Sequence, residues 1–331
     1  MNNKKLQILI PQYHEDEKTL TPLLKSIELQ QNVDIKNDIG VIICNDGTWN
    51  DGYALSEEFL NSFPFEIKYI LNDHKGVSAT RNACLDAATA DYVMFCDADD
   101  MFYNMCGLWI VFREMKGEGF NAFSSVFVEE TKDMRTGEKI YINRENDSTF
   151  VHGKIYRRSY LQYNNIRFND ALTIHEDSYF NCLAQRLSGQ VKYCQAPFYL
   201  WRWRDDSVCR HDPKYILKTY VNMLDSNTAL VNEFIKRGRP MDAQYYSTMM
   251  IYDAYFMMNK AEWLNQENQE YRMNTEKRFK KYFNEFKEYY DAIPQELKSQ
   301  IIMGMKNRFF QEGVFMESIT FDDWIKHIQS L

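Results

Sequence analysis

Residues 75–101 read KGVSATRNACLDAATADYVMFCDADDM and determine the fold that the rest of the chain completes. Gly76 gives the backbone freedom for a close approach, and Ser78 is placed to cap a helix that follows it. The apolar run Tyr92–Cys96 comes next and is typical of an interior strand in a mainly parallel sheet. Asp97–Asp100 therefore lies at the carboxyl end of a strand, where open α/β sheets bind ligands.

Asp97, Asp99 and Asp100 place three carboxylates within four positions. We expect these like charges to repel one another at neutral pH, and a bound divalent cation relieves that repulsion. Mg²⁺ and Mn²⁺ prefer oxygen ligands, which the phosphates of a substrate can complete. The cluster therefore predicts a divalent cation together with a phosphate-bearing ligand.

The chain before this stretch alternates apolar runs with helical spacers. Leu6–Ile10 is predicted as the first strand, Glu15–Gln31 as an amphipathic helix, and Ile39–Cys44 as the second strand. A third strand is predicted at Phe65–Leu71. Strands separated by helices favour a parallel βαβ sheet, so the sequence predicts an α/β fold.

Downstream of the acidic cluster the alternation changes. Met101–Met115 is predicted to be helical, and Phe120–Glu129 with Lys139–Ile142 is predicted to form a β-hairpin. Closing strands are predicted at Val191–Cys194 and Phe198–Trp203. The rest of the chain has an almost wholly helical pattern, with helices predicted at residues 215–236, 242–264, 275–293 and 295–310.

Composition limits the function. At 331 residues the chain is long enough for one large domain or two ordinary ones. A formal net charge of −8 argues against a broad basic face for nucleic acid. The seven cysteines include no CxxC pair, which favours reduced thiols. The first apolar run is too short for a signal peptide, and no run reaches the roughly 18 apolar residues of a membrane span. We therefore expect a cytoplasmic protein, with peripheral membrane contact left open.

Several nucleotide-binding classes lack their motifs here. Neither GxGxxG nor GxxxxGK[ST] occurs, which disfavours Rossmann dehydrogenases and phosphate-loop NTPases. A nucleotidyltransferase would carry a glycine-rich phosphate loop after the first strand, where this chain has Pro11-Gln12-Tyr13.

The segment Gly76–Asn82, followed by Asp97–Asp100, resembles the core of family 2 glycosyltransferases with the GT-A fold. Members carry a GVSxARN-like helix and then an Asp-Ala-Asp-Asp signature, and Thr80 stands where alanine is usual. The resemblance implies a GT-A domain at residues 1–211, with a Rossmann-like, mainly parallel sheet and a small antiparallel part. It also implies an all-α C-terminal region at residues 212–331 that serves packing, acceptor contacts or homo-oligomer contacts.

The resemblance further implies how the donor nucleotide is held. Loops at Pro11–Tyr13 and Asn45–Gly52 would hold the base and the ribose. Tyr13 would pack beside the base, and Asp46 would accept from the uracil N3–H, a proton that cytosine lacks. A turn-rich connection is the simpler interpretation of the second loop, and a surface salt bridge is the simpler interpretation of Arg81. The implied donor contacts are Pro11, Tyr13, Asp46, Arg81, Asp97, Ala98, Arg202, Arg204 and Ser207, of which the last three resemble a YxYRxRxxS stretch near the diphosphate.

Metal and base candidates also come from the resemblance. Asp99 is the strongest implied metal ligand, and Asp97 would assist through the ribose or a metal-bound water. His211 is a further metal candidate, with a solvated or capping histidine as the alternative. The xED motif of the family matches Glu176 and Asp177, in which Asp177 would be the catalytic base and Glu176 its orienting neighbour. Helix capping is the alternative, because carboxylates are favoured at helix N-termini.

These implications describe a metal-dependent, inverting glycosyltransferase. It would move a sugar from a nucleotide-diphosphate sugar, with a UDP-sugar favoured, to an acceptor hydroxyl with the help of Mn²⁺ or Mg²⁺. The expected acceptor is a glycan, polymer or lipid carrier in surface polymer synthesis. One alternative is a non-catalytic GT-A-like nucleotide-binding module. Another is a transferase acting on modified DNA bases, served by Arg157, Arg158, Arg202, Arg204 and Arg210 near the acceptor.

Overall fold

The computed structural model describes residues 4–133, 135–205, 212, 214–311 and 319–331. The chain divides into two compact units, Met1–Asp205 and Asp206–Leu331. The sequence predicted the division between residues 211 and 212. Ser207, Arg210 and His211, which the sequence proposed for the diphosphate, DNA and the metal, lie outside the described residues.

The first unit alternates strands and helices in its first half and is richer in strands in its second half. Its strands are β1 (Leu6–Gln12), β2 (Ile39–Asp46), β3 (Glu66–Asn72), β4 (Tyr92–Phe95), β5 (Met101–Phe102), β6 (Ala122–Lys132), β7 (Lys139–Arg144), β8 (Lys154–Arg157) and β9 (Val191–Trp201). Its helices are α1 (Glu17–Glu28), α2 (Ile35–Asp38), α3 (Glu57–Leu60), α4 (Val77–Ala87), α5 (Gly107–Glu114), α6 (Arg158–Tyr163) and α7 (Glu176–Leu187).

The nine strands of the described residues form one mixed sheet in the order β3-β2-β1-β4-β8-β6-β9-β5, with β7 paired to β6. β1 pairs in parallel with β2 and β4, and β2 pairs in parallel with β3. β8 lies antiparallel to β4 and β6, whereas β6 lies parallel to β9. The predicted GT-A architecture, a mainly parallel sheet with a small antiparallel part, is confirmed.

The strand order predicts a ligand site beside β1. β2 lies on one side of β1 and β4 lies on the other, and open α/β sheets bind ligands at the carboxyl ends of strands where the order reverses. β9 runs in the same direction as β4, because two antiparallel pairings and one parallel pairing separate them. The carboxyl ends of β1, β2, β4 and β9 therefore share one edge of the sheet, called the carboxyl edge below.

The central strands are buried on both faces, as their continuous apolar sequence predicts. In β1 the side chains of Leu6, Ile8, Leu9 and Ile10 are fully buried. Each such burial stabilises the fold by about 1.5–3 kcal/mol. β3 lies at the end of the sheet, and its residues are exposed or half-buried. The residues at the carboxyl edge are therefore attached to strands that the core packs on both faces.

Ser78 does not cap α4, so that prediction was wrong. α4 begins after Gly76, whose φ of 87° lies in the left-handed region that favours glycine. The Ser78 hydroxyl instead donates to the Leu172 carbonyl at 3.0 Å. Asp46 accepts from the amides that precede the helix, as described below.

The prediction of one helix over residues 101–115 was also wrong. Met101 and Phe102 form the short strand β5 against β9, and α5 begins only at Gly107. Gly107 packs so closely that an added Cβ would lie 2.4 Å from Phe198 Cβ. The two closing strands predicted within residues 191–203 are one strand, β9, because both segments pair with β6.

Arg157 and Arg158 lie at the opposite edge of the sheet, contrary to their predicted position near the acceptor. Arg157 pairs with Tyr92 at the amino-terminal end of β4. Both guanidinium groups donate to backbone carbonyls, at 2.6 Å from Arg157 Nη2 and 2.7 Å from Arg158 Nε. These two arginines therefore do not join Arg202 and Arg204 in a basic face for DNA.

The second unit is helical, as predicted. The bounds of its first helix match the predicted ones, whereas its last helix was not among the predicted helices. Among the described residues, no helix combines the length and the apolar character needed to cross a membrane. The helices are α8 (Tyr215–Lys236), α9 (Pro240–Met258), α10 (Ala261–Leu264), α11 (Gln269–Asp291), α12 (Gln295–Gln311) and α13 (Phe321–Ser330).

Candidate active site

Asp100, which follows β4, forms hydrogen bonds with β9 and with the segment after it. Its carboxylate is fully buried and accepts from the Tyr199 hydroxyl at 2.5 Å and from the Arg202 amide at 2.9 Å. Burial and the charges of Asp99 and Asp97 raise the pKa of Asp100 well above its ordinary value. Asp100 therefore holds Arg202 and the residues after it beside the acidic cluster.

Arg81 connects the acidic cluster to α7. The side chain is buried, and its Nη2 donates to Asp97 Oδ1 at 2.9 Å while its Nη1 donates to Glu176 Oε1 at 2.6 Å. Its Cζ lies 5.3 Å from the centroid of the Phe168 ring. The structure thus places Arg81 between two acids from distant parts of the sequence, in a buried ion network and not in a surface salt bridge. Its predicted contact with the donor stays a prediction.

The base candidate Asp177 lies in the first turn of α7. His175 precedes the helix with a φ of 61°, a left-handed conformation that is uncommon outside glycine. Burial and the neighbouring Glu176 carboxylate raise the pKa of Asp177 to about 7, against the opposing charge of Arg81. Asp177 Oδ1 accepts from the Ser178 amide at 2.8 Å. A carboxyl group with this pKa can accept a proton near neutral pH.

Asp99 lies at the same edge and faces a cation. Arg204 Nη1 lies 3.3 Å from Asp99 Oδ2 and 3.8 Å from Glu15 Oε1. Burial and Asp97 raise the pKa of Asp99 to about 6, while Arg204 lowers it. Sequence reasoning missed Glu15, which follows β1 closely and whose Oε2 accepts from the Tyr13 amide at 2.8 Å. Its position in the loop after the first predicted strand could have identified Glu15 as a candidate site residue.

The carboxyl edge contains donor atoms that suit a divalent cation. Oxygens of Asp97 and Asp100 and a ring nitrogen of His152 lie within 4.8 Å of one another. His152 is buried, and its Nδ1 has no hydrogen-bond partner among the described residues. Burial lowers the pKa of His152 to about 4, so the ring is neutral at pH 7 and has a lone pair for a cation. Because carboxylate oxygens suit Mg²⁺ and Mn²⁺, the residues fit such an ion.

Asp46 holds the loop that leads into α4. Its buried carboxylate accepts from the amides of Lys75 and Gly76 at 2.8 and 3.0 Å, and His74 Nδ1 lies 2.9 Å from its Oδ2. The exposed Tyr13 ring stacks on the His74 ring with centroids 5.0 Å apart. Sequence reasoning missed His74, and the predicted contact between Asp46 and uracil stays a prediction.

Asp46→Ala is expected to destabilise the protein by about 1–3 kcal/mol, because the amides of Lys75 and Gly76 lose the buried carboxylate that accepts their part-buried hydrogen bonds. Urea unfolding measures this loss. Asp51→Ala is the matched control, since Asp51 is an exposed aspartate in the same loop region. Equal midpoints for the two variants would contradict the structural role of Asp46.

The structure brings most of the predicted site residues to the carboxyl edge or to segments bonded to it. His152 and Glu15 join them although the sequence had not proposed either. The predicted residues found there are Pro11, Tyr13, Asp46, Arg81, Asp97, Ala98, Asp99, Glu176, Asp177, Arg202 and Arg204.

Comparison with known proteins identifies the family to which the chain belongs. The family model for glycosyl transferase family 2 matches residues 7–186. The chain is 26% identical over 206 residues to the teichoic acid poly(glycerol phosphate) polymerase of Staphylococcus epidermidis, with 59% of this chain and 28% of that protein covered. It is 25% identical over 270 residues to the GalNAc(5)-diNAcBac-PP-undecaprenol beta-1,3-glucosyltransferase of Campylobacter jejuni, with 75% and 82% covered. The chain thus spans less than a third of the staphylococcal protein's length.

Solved structures share the fold. The Staphylococcus aureus TarS fragment 1–349 in complex with UDP is similar with a TM-score of 0.59 and 16% identity, over 96% of this chain and 94% of that chain. The mannosyltransferase PcManGT from Pyrobaculum calidifontis in complex with GDP-Man and Mn²⁺ has a TM-score of 0.51 and 12% identity, over 70% and 65%. Because the family model matches more than half of its residues and the GT-A architecture is present, the chain belongs to glycosyl transferase family 2.

Proposed function

We propose that the chain is an inverting glycosyltransferase that moves a sugar from a UDP-sugar to an acceptor hydroxyl, with Asp177 as the general base. The observation that carries this proposal is the buried ion network in which Arg81 joins Asp97 to Glu176. The network holds the acidic cluster after β4 close to the base candidate on α7. Residues for donor and acceptor chemistry therefore share one edge of the sheet.

The reaction is a single displacement. The acceptor hydroxyl oxygen bonds to the anomeric carbon while its proton passes to the Asp177 carboxylate. The bond between the anomeric carbon and the diphosphate oxygen breaks, and the nucleoside diphosphate leaves with that electron pair. One displacement inverts the anomeric centre. The raised pKa of Asp177, about 7, suits a group that takes a proton near neutral pH.

The diphosphate end of the donor is assigned to the acidic cluster and the arginines beside it. Asp97 would hold Mn²⁺ or Mg²⁺, either with Asp99, as the family resemblance implies, or with Asp100 and His152, whose donor atoms lie within 4.8 Å of that of Asp97. The ion would supply positive charge for the departing diphosphate. Arg202 and Arg204 are assigned to the phosphate oxygens, because a planar guanidinium group pairs with phosphate through two parallel hydrogen bonds. The Mn²⁺ complex of the similar mannosyltransferase supports the choice of ion.

The nucleotide base is assigned to the ends of β1 and β2. The exposed Tyr13 ring and the neighbouring His74 offer a stacking surface. Asp46 fixes the loop that carries His74 and retains lone pairs for a base N–H. The UDP complex of TarS supports uridine as the base.

The proposed acceptor is a cell-surface polymer or a lipid-linked glycan. Support comes from the names of the two relatives, which concern a teichoic acid and an undecaprenol-linked glycan. The deciding experiment measures UDP release from a panel of UDP-sugars with polymer and lipid-linked acceptors. Acceptor-dependent release supports the proposal, whereas nucleotide binding without release from any donor supports a non-catalytic binding module.

UDP with Mn²⁺ is expected to stabilise the protein more than CDP does, because the uracil N3–H can donate to Asp46 and cytosine lacks that proton. A ligand at 100 times its Kd stabilises the folded state by about 2.7 kcal/mol, which appears as a raised Tm. Differential scanning fluorimetry with each nucleotide measures this effect. Equal shifts for UDP and CDP would contradict the proposed role of Asp46 in reading the uracil N3–H.

A further inference from the structure

Lys154 on β8 is a lysine that the fold buries almost completely. Its side chain is 1% exposed, although lysine is seldom buried without a close partner. Its Nζ lies 3.5 Å from Asp147 Oδ1 and 3.5 Å from the His152 carbonyl oxygen. Both distances exceed the usual length of a charge-assisted hydrogen bond. These contacts therefore compensate only part of the cost of burying the ammonium group.

The face of β8 that carries Lys154 packs against α7. Side chains two residues apart lie on the same face of a strand, so Lys154 and Tyr156 share one face. The Tyr156 hydroxyl donates to Asn181 Oδ1 at 2.8 Å, and Asn181 is a fully buried residue of α7. A second bond, from Asn181 Nδ2 to the Thr149 carbonyl at 2.7 Å, holds α7 to the segment before β8.

The two segments run in the same general direction where they meet. Asn181 accepts from β8, and further along α7 the Ala184 carbonyl accepts from the hydroxyl of Tyr160, which follows β8. Later residues of one segment therefore face later residues of the other. Lys154 begins β8 and thus faces the first turn of α7, where Asp177 precedes Asn181 by one helical turn.

Charge links Lys154 to Asp177. Burial lowers the pKa of Lys154, whereas the carboxylates of Asp147 and Asp177 oppose that shift because they favour the ammonium form. The same attraction favours the carboxylate form of Asp177. The other charged groups beside Asp177 are Glu176 on the same helix, Arg81 on α4 and Asp97 after β4. Two of these three groups are acids, so the charge of Lys154 offsets part of their repulsion.

We propose that Lys154 is a positioning residue for the general base, and that its buried ammonium group keeps the Asp177 carboxylate charged near neutral pH. The inference rests on the proposed function, in which Asp177 takes the proton of the acceptor hydroxyl. Lys154 acts through Asp177 and touches neither donor nor acceptor, because its side chain has almost no exposed surface.

NMR titration of the Asp177 carboxyl group tests this role without any substrate. In protein labelled with ¹³C at its aspartate carboxyl groups, the Asp177 signal is the one that Asp177→Asn lacks. Lys154→Met is expected to raise the titration midpoint of Asp177 by about one pH unit, because it removes an opposite charge. Lys192→Met is the matched control, since Lys192 is 52% exposed and pairs with Glu114 at 2.8 Å. This control is expected to leave the midpoint unchanged.

The same shift is expected in the kinetics. The acidic limb of kcat/KM moves to higher pH in Lys154→Met, so that kcat/KM at pH 6 falls about tenfold below that of the wild type. Methionine resembles lysine in length, and Asp147 is 21% exposed and can be hydrated without its partner, so the fold is expected to be retained. Lys154→Gln is a second uncharged variant with the same expected shift, and a thermal melt checks the fold of each.

The outcomes separate this inference from the proposed function. If the midpoint of Asp177 in Lys154→Met and Lys154→Gln equals that of the wild type, the lysine is only structural and the inference is overturned. An acidic limb that disappears in Asp177→Asn would then still support the proposed base. If Asp177→Asn instead keeps the turnover of the wild type, the base assignment is overturned and the role of Lys154 is overturned with it.

Discussion

Asp177→Asn is expected to lower kcat by about 10²–10⁴-fold while the variant still binds UDP. Asparagine keeps the size of the side chain but cannot take the proton of the acceptor hydroxyl. Initial rates with saturating donor and acceptor measure the loss, and calorimetry with UDP measures binding. A turnover number within a few-fold of the wild type would remove Asp177 from the role of base.

The pH profile gives an independent check on the same residue. Burial and Glu176 raise the pKa of Asp177 to about 7, so kcat/KM of the wild type is expected to fall as the pH drops through that value. The carboxylate is the active form, and protonation below its pKa removes the base. Asp177→Asn is expected to lose this acidic limb. Asp86→Asn, a control at a side chain 62% exposed, is expected to keep both the rate and the limb.

Arg81→Met is expected to destabilise the protein by about 3–5 kcal/mol, because it leaves the buried Glu176 carboxylate and the partly buried Asp97 carboxylate without their shared cation. Guanidinium chloride unfolding at pH 7 measures the loss. Arg167→Met is the matched control, since the Arg167 and Asp86 side chains are 39% and 62% exposed and such a pair is worth about 1 kcal/mol or less. Similar losses in the two variants would contradict a buried ion network.

The loss in Arg81→Met is also expected to depend on pH. Burial alone would raise the pKa of Asp97, but the charge of Arg81 holds it below its ordinary value of 3.8. The pair therefore stabilises the fold above pH 3.8, and this contribution disappears as the pH falls through the lower value of the folded state. The wild type and the variant should differ most at neutral pH and least in strong acid.

Much of the fold was predictable because its signals are local. The apolar runs of β1, β2 and β4 and the periodic pattern of α8 each depend on residues that are close in sequence. The prediction of one helix after Asp100 failed because tertiary pairing decided the conformation. Two residues there add a strand to β9, and the close packing of Gly107 against Phe198 sets where the helix begins.

The sequence predicted which residue types form the site, but it did not predict which of these residues pair with one another. The family-like motifs led to Asp97, Asp99 and Asp177, whereas no local pattern shows that Arg81 pairs with Glu176 across the fold. His152 was missed for the same reason, because it reaches Asp100 only when β8 packs beside β4. Contacts between distant segments depend on the assembled sheet, and spacing in the sequence does not encode them.

One guanidinium group shared by two acids has a consequence for redesign of the donor pocket. A substitution near Asp97 that accommodates another nucleotide sugar alters the charge beside Arg81, and Arg81 in turn influences the proton affinity of Asp177. A variant selected only for a new sugar is therefore expected to work best at a different pH from its parent. Such a variant would need a further substitution that restores the pKa of Asp177, even though Asp177 and its neighbours on α7 had not been changed.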